Sequence, residues 1–256
     1  KSPVDGYTEG VVEGVSASGE GKLLLKLAIP LNHSSDTKVV GSYQFISNQI
    51  NPGLNLPNLE KVNGKLDFTE ASIKLEDVSA QMLGGPVAIH SVVQPGGEVR
   101  VTAIGKVNFD NLRKLSAGKT NESRVNESRV QVRSTDVAPG WTQYLRGGAD
   151  WRAVFNLRKK MTDVSIESSL QGIASDLPAP FAKAAAEAVP FRFTRKATDL
   201  RQDVMYLSIG KIMAAQFSRS QDHAGRYQTE RGVINFGATS YLQPGKAGVM
   251  VSGSLP

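Results

Sequence analysis

The stretch Ala149-Asp150-Trp151-Arg152-Ala153-Val154-Phe155-Asn156-Leu157-Arg158 decides the fold class. Its odd positions are all apolar, and its even positions are polar except for Val154. Successive side chains of a β-strand point to opposite faces, so this run has one apolar face and one wet face. The same period recurs on both sides of it. Val62, Gly64, Leu66 and Phe68 alternate with Asn63, Lys65 and Asp67. Val164, Ile166, Ser168 and Leu170 alternate with Ser165, Glu167 and Ser169, and Phe191 and Phe193 flank Arg192. Leu23, Leu25, Leu27 and Ile29 share one parity. One-sided strands of this kind are the mark of antiparallel sheet.

Turn signals punctuate the strands at Ser18-Gly19, Asn51-Pro52-Gly53, Gly84-Gly85-Pro86, Pro95-Gly96-Gly97, Gly147-Gly148 and Pro244-Gly245. That spacing predicts roughly 12–14 strands in a meander or large open sheet. Open sheets beyond ~10 strands curl or split, so strong curvature is expected. One run changes phase: Ile73 and Leu75 are apolar at odd positions, then Val78, Ala80 and Met82 at even ones. A β-bulge at Glu76-Asp77 accounts for the slip. Three short helices are expected as edge caps: Asn111 to Ala117 capped by Asp110, Thr142 to Arg146, and the Ala-rich Phe181 to Ala188 after Pro178 and Pro180.

Composition narrows the function classes. The chain has 256 residues, 30 Lys plus Arg against 24 Asp plus Glu, a net charge of +6, and no Cys. Disulfide scaffolds, thiolate metal sites and Cys nucleophiles are excluded. No apolar run approaches the ~18–20 residues that cross a bilayer as a helix. The basic residues are scattered, with small clusters at Arg158-Lys159-Lys160 and Arg195-Lys196, and aromatics are 7%. A nucleic-acid binder would concentrate them on one face, so no nucleic-acid partner is expected. The pentapeptide Asn121-Glu122-Ser123-Arg124-Val125 is repeated at once as Asn126-Glu127-Ser128-Arg129-Val130, which places an insertion, and a sub-boundary, near residues 118–135.

No catalytic constellation stands out. His33, His90 and His223 lack ligand spacing, and His90 reads as a solvent-face strand residue. Gly19-Glu20-Gly21-Lys22 lacks both the upstream Gly and the following hydroxyl of a phosphate loop and reads as a tight hairpin. No Gly-x-Ser-x-Gly elbow occurs. The sequence therefore points to no catalytic residue, no metal, no cofactor and no enzyme. What remains is the apolar face. It either packs on itself as a sandwich, the commoner all-β solution, or stays open as a binding surface.

A resemblance tips that balance. Leu59-Glu60-Lys61-Val62-Asn63-Gly64-Lys65-Leu66-Asp67-Phe68 and the following Ala80-Gln81-Met82-Leu83-Gly84-Gly85-Pro86-Val87 resemble the strand pairs of AsmA-like proteins. Gly147-Gly148-Ala149-Asp150-Trp151, the run Ser168-Ser169-Leu170-Gln171-Gly172-Ile173-Ala174-Ser175-Asp176-Leu177-Pro178-Ala179-Pro180, and Gly232-Val233-Ile234-Asn235-Phe236-Gly237 are similar to the YhdP subgroup. The resemblance implies a long Gram-negative envelope protein: an inner-membrane helix, then a periplasmic sheet curled into an apolar groove that moves phospholipids towards the outer membrane.

On that reading residues 1–256 are a single internal segment of a longer protein, all-β with a few short helices, forming a strongly curved antiparallel groove. Beginning at Lys1 rather than Met agrees with a processed or excised piece. The expected partners are phospholipid acyl chains, with envelope proteins as further candidates and membrane contact through parts outside this chain. The expected groove residues are Leu66, Phe68, Trp151, Phe155, Leu157, Ile166, Leu170, Phe191 and Phe193. A structural module for outer-membrane biogenesis, acting through protein contacts, is the alternative.

Overall fold

In a computed structural model, the structure describes residues 15–28, 38–53, 56–69, 72–95, 97–114, 140–158, 161–222, 225–237 and 246–254. Fourteen strands among the described residues make up the sheet. They are β1 (Ser16–Ala28), β2 (Lys38–Asn51), β3 (Leu59–Thr69), β4 (Ile73–Met82), β5 (Gly85–Val93), β6 (Val99–Asn108) and β7 (Leu145–Arg158). There follow β8 (Met161–Ser168), β9 (Ile173–Ser175), β10 (Phe191–Asp199), β11 (Gln202–Ile209), β12 (Met213–Gln221), β13 (Tyr227–Phe236) and β14 (Gly248–Gly253). Neighbours in space follow chain order from β1 to β14, except that β9 leaves the path to pair with β7. The fold is therefore all-β, an open sheet of mostly antiparallel strands, as the period-2 pattern predicts. The β13–β14 pair is parallel.

Two compact units divide the chain: Lys1–Met82 with Pro86–Ile104 and Ala153–Val164, and Leu83–Gly85 with Gly105–Arg152 and Ser165–Pro256. In the first, left-handed residues form a row from strand to strand: Gly19 (φ 112) on β1, Ser47 (φ 51) on β2, Lys61 (φ 53) and Gly64 (φ 127) on β3, and Asp77 (φ 47) on β4. Register shifts fall at the same places. Each is a bulge that bends its strand and raises the local twist. The bulge expected near Glu76-Asp77 is one of them, and β4 is a single strand. Side-chain amides replace the ladder bonds lost there. Asn48, 1% exposed, accepts from Ile46 N (2.7 Å) and donates to Ser18 O (3.3 Å). Asn63 accepts from Ser47 N (3.1 Å) and donates to Lys61 O (2.9 Å), and Gln44 donates to Gly64 O (2.9 Å).

The same row overturns two expectations. Ser18-Gly19 is not a turn, and Gly19-Glu20-Gly21-Lys22 is not a hairpin. β1 runs straight through both, because Gly19 spends its left-handed conformation on a bulge opposite Ser47 and Asn48. The Gly84 turn does form. Leu83 (φ 53) and Gly84 (φ 76) make a two-residue hairpin loop with both φ positive, the type I′ geometry that matches strand twist.

In the second unit, Gly147-Gly148 is not a turn but lies within β7. A Cβ on Gly147 would sit 2.3 Å from Gly172 O, and one on Gly172 would sit 2.2 Å from Gly148 O. These glycines permit two backbones to touch, and Gly148 N donates to Gly172 O (3.1 Å). Phe109, Ala149 and Ile173 form the core beside this crossing. The helical segments differ from those expected, and residues 115–117 of the first lie outside the described residues. Residues 109–114 are helical, and the cap is Asn108, whose Oδ1 accepts from Asn111 N (2.9 Å), rather than Asp110. Asp110 instead accepts from Gly147 N (3.0 Å). A 3-10 turn at Gly140–Tyr144 replaces the Thr142 to Arg146 helix, and the chain enters β7 at Leu145. Phe181 to Ala188 is irregular. Lys183 bridges to Ser175, and its Nζ donates to Ile173 O (2.8 Å). An isolated eight-residue helix is marginal in water, and this pairing overrides the Ala-rich propensity. The tandem repeat, the 118–135 boundary, His33, His223 and Pro244-Gly245 lie outside the described residues.

Candidate functional site

Cross-strand register shows how side chains gather on each face, because directly paired residues point the same way. In the second unit one row runs Phe191, Ile209, Met213, Phe236. The next runs Phe193, Leu207, Ala215, Ile234, and the third Arg195, Met205, Phe217, Gly232. On the opposite face the corresponding rows are Arg192, Ser208, Ala214, Asn235 and Thr194, Tyr206, Gln216, Val233. One face is thus apolar over four strands and the other mostly polar. Arg192 pairs with Glu167 (3.3 Å), so alternation puts Ile166 on the apolar side with Phe191 and Phe193.

The first unit repeats the arrangement. Its rows read Leu23, Tyr43, Leu66, Leu75 and Leu25, Gly41, Phe68, Ile73. Behind them Leu24, Ser42, Asp67, Lys74 and Lys22, Gln44, Lys65, Glu76 form the polar face. The hydrogen bond from Lys65 holds Asp67 below the ordinary carboxylate range, and that from Lys74 does the same for Glu76. A depression of about 570 Å³ lies chiefly on the polar parity, between Leu24, Lys26, Val40, Asp67 and Lys74.

Burial along these faces is inverted relative to a sandwich core. Among the described residues the buried apolar positions are valine or alanine in all but four cases, Phe45, Leu59, Phe109 and Ile173. The large side chains of the apolar rows, Leu66, Phe68, Phe191, Phe193, Leu207, Phe217 and Phe236 among them, are only half-buried. Glycines keep the surface low. A Cβ on Gly41 would lie 2.2 Å from the Phe68 ring, on Gly21 2.2 Å from Tyr43 Oη, and on Gly232 2.5 Å from the Phe217 ring. In each case an aromatic ring lies flat over a neighbouring strand's glycine, the pairing known to shield strand glycines.

The nine expected residues divide accordingly. Leu66 and Phe68 come together in the first unit, and Ile166, Phe191 and Phe193 in the second. Phe155 and Leu157, in the first unit, lie on the face of β7 opposite Asn156, which accepts from Arg100 Nε (3.0 Å). Trp151, in the second, alternates with Asp150, whose carboxylate faces Lys106 (3.7 Å); its indole N–H is buried without a partner. Leu170 stands apart. It follows β8 at φ 52 and packs on the Phe109–Ala149–Ile173 core. Sequence reading passed over Met205, Leu207, Ile209, Phe217 and Ile234. The alternation in Met205-Tyr206-Leu207-Ser208-Ile209 carried the signal.

One end of the second unit's strip is charged. Asp203 has no exposed side-chain surface. It accepts from Arg219 Nε (2.8 Å) and Nη2 (2.7 Å) and from Arg195 Nε (2.5 Å). Burial alone would push this carboxyl up, but the bonds from Arg219 and Arg195 outweigh it and hold the group below its ordinary range. The Tyr227 ring lies 4.5 Å from the Arg219 guanidinium and 5.2 Å from that of Arg195. Arg195-Lys196 is therefore not a simple solvated cluster. His90 is exposed on β5, and no group of three or more His, Asp or Glu among the described residues is placed to hold a metal ion.

The profile of the YhdP protein family matches residues 1–256. The chain belongs to the YhdP family. Membership fits an envelope protein of lipid-transport type, and the family is not a known enzyme family. No curated protein and no solved structure matches the chain. Two segments that carry the YhdP resemblance meet in space: Gly147-Gly148-Ala149 crosses Leu170-Gln171-Gly172-Ile173. Their role in this YhdP-family chain is close packing. The third segment is β13, where Gly232 lies under the Phe217 ring. Among the described residues, no helix is long and apolar enough to cross a membrane.

Proposed function

We propose that this chain is a periplasmic segment of a bridge-like envelope protein whose apolar sheet face carries phospholipid acyl chains between the inner and outer membranes. The observation that carries the reading is the half-buried strip of Phe191, Phe193, Leu207, Phe217, Ile234 and Phe236 over a core of small residues. Each methylene removed from water contributes ~0.8 kcal/mol. About ten methylenes half-covered by such a strip would therefore gain roughly 4 kcal/mol, enough to hold a tail yet weak enough to let it slide. The three apolar rows between Phe191 and Gly232 carry a single charged residue, Arg195, at their margin, so the tails would meet only apolar side chains between Phe191 and Ile234.

The structural-module reading draws on a different feature. Among the described residues β1 and β14 end the sheet; they expose Leu23, Leu24, Leu25, Leu27, Val249 and Val251, and such edges invite pairing with another chain. Native mass spectrometry of the gently purified chain separates the two. Co-purified phospholipid that disappears in Phe193→Asp supports the carrier, whereas lipid-free protein that forms stable protein complexes supports the module.

A further inference from the structure

The apolar strip of the second unit ends in more positive charge than its own carboxylate needs. Arg219 already meets Asp203 through two bonds, 2.8 and 2.7 Å, which is a complete bidentate pair. Arg195 adds a second guanidinium to the same carboxylate, so two positive charges share one negative charge. The positions facing them on this side, Ala197, Met205, Gln221 and Thr229, are uncharged. A surplus charge held at 12% side-chain exposure for Arg195, and 18% for Arg219, is costly without a counter-charge.

Both groups keep unused donors. A guanidinium has five N–H bonds. Arg195 commits Nε to Asp203 and Nη2 to Tyr227 Oη (2.8 Å), and Arg219 commits Nε and Nη2 to Asp203. Neither Nη1 has a partner among the described residues, and both side chains keep exposed surface, 12% for Arg195 and 18% for Arg219. Asp203 and the Tyr227 ring hold the two forks in place, which lowers the ordering cost of binding. The strip begins one side-chain step away, with Phe193 beside Arg195, Met205 beside Asp203 and Phe217 beside Arg219 on their own strands.

We infer that the Arg195–Arg219 pair binds the phosphate of a phospholipid whose acyl chains lie on the adjoining rows of Phe193, Leu207 and Phe217. This rests on the reading of that face as an acyl-chain surface. The phosphate would take the surplus charge, and the tails would run away from it across the strip. A free phosphate shares the headgroup chemistry but lacks the tails.

The test uses the purified full chain and three probes: dioctanoyl phosphatidylglycerol, dioctanoylglycerol with the same tails and no phosphate, and inorganic phosphate. Charge-assisted hydrogen bonds predict that the phospholipid binds about 10- to 100-fold more tightly than the neutral lipid. In Arg219→Gln and Arg195→Gln that preference should shrink to within about threefold while dioctanoylglycerol binding is unchanged. Arg219→Lys, which keeps the charge but not the fork, should retain part of it and guards against a folding defect. Equal binding of the two lipids by the unaltered chain overturns the inference and leaves the acyl surface standing. Inorganic phosphate competing as well as the phospholipid also overturns it, assigning the site to a free anion. If neither lipid binds, the acyl-chain surface itself falls and this inference with it.

Discussion

Replacing Asp203 by Asn changes one atom and removes one charge where the second unit tolerates it least. The carboxylate is fully buried and accepts three bonds from two guanidiniums. Asn offers one acceptor and no charge, so Arg195 and Arg219 would face each other with no negative charge between them. Breaking a buried ion cluster in this way costs about 3–5 kcal/mol, a large share of a domain's stability. Urea unfolding followed by tryptophan fluorescence reads the right region, because Trp141 and Trp151 both belong to the second unit. With a slope of about 1.5–2 kcal/mol per molar, the midpoint should fall by roughly 1.5–3 M. The pH dependence has a definite sign. Asp203 is held below its ordinary range in the folded state. Its contribution is therefore full above the unfolded value, about pH 4, and is lost as pH falls through the depressed folded value. The unaltered chain should weaken in that acid window, and Asp203→Asn should weaken less. A midpoint change under about 0.5 M, or identical acid losses in both, would refute the reasoning.

Asn48→Ala removes the acceptor of Ile46 N and the donor to Ser18 O at the bulge row; it should cost about 1–3 kcal/mol by denaturant unfolding, with Asn48→Asp intermediate. Gly232→Val places a Cβ 2.5 Å from the Phe217 ring or nearer, so the ring must stand up from the sheet; about 1–3 kcal/mol of overpacking and reduced lipid retention in native mass spectra are expected. Phe155→Asp and Leu66→Asp alter half-buried side chains, and complementation in the full-length protein should show transport falling more than folded abundance. Equal losses would return both residues to ordinary packing.

The strands were legible because alternation is a local property. Ala149 to Arg158 is a strand for the reason its parity suggests, and the phase slip after Leu75 reports the Asp77 bulge. Glycine was legible only in part. Gly84 turns the chain as a local rule would have it, but Gly19 bulges, and Gly147 on β7 touches Gly172 in the turn before β9. The partner that decides each outcome lies far along the chain. The expected Phe181 to Ala188 helix failed for a related reason, since the pairing of Lys183 with Ser175 is invisible in local propensity. For the candidate surface, parity placed Phe191 and Phe193 on a common face, but registry with β11, β12 and β13 was needed to extend it to Leu207, Phe217 and Ile234. Leu170 has the right parity by counting, yet β8 ends two residues earlier and the side chain turns into the core. Nothing local marks Asp203 as buried, because its partners come from β10 and β12.

A photocrosslinking amino acid placed singly along β11 in the full-length protein tests the acyl-chain surface most directly. Positions 205, 207 and 209 lie on the apolar side, and 204, 206 and 208 on the other. Irradiation of intact cells followed by mass spectrometry should yield phospholipid adducts at the odd positions and none at the even ones. Adducts on both faces alike, or on neither while protein adducts appear at the odd positions, would contradict the account.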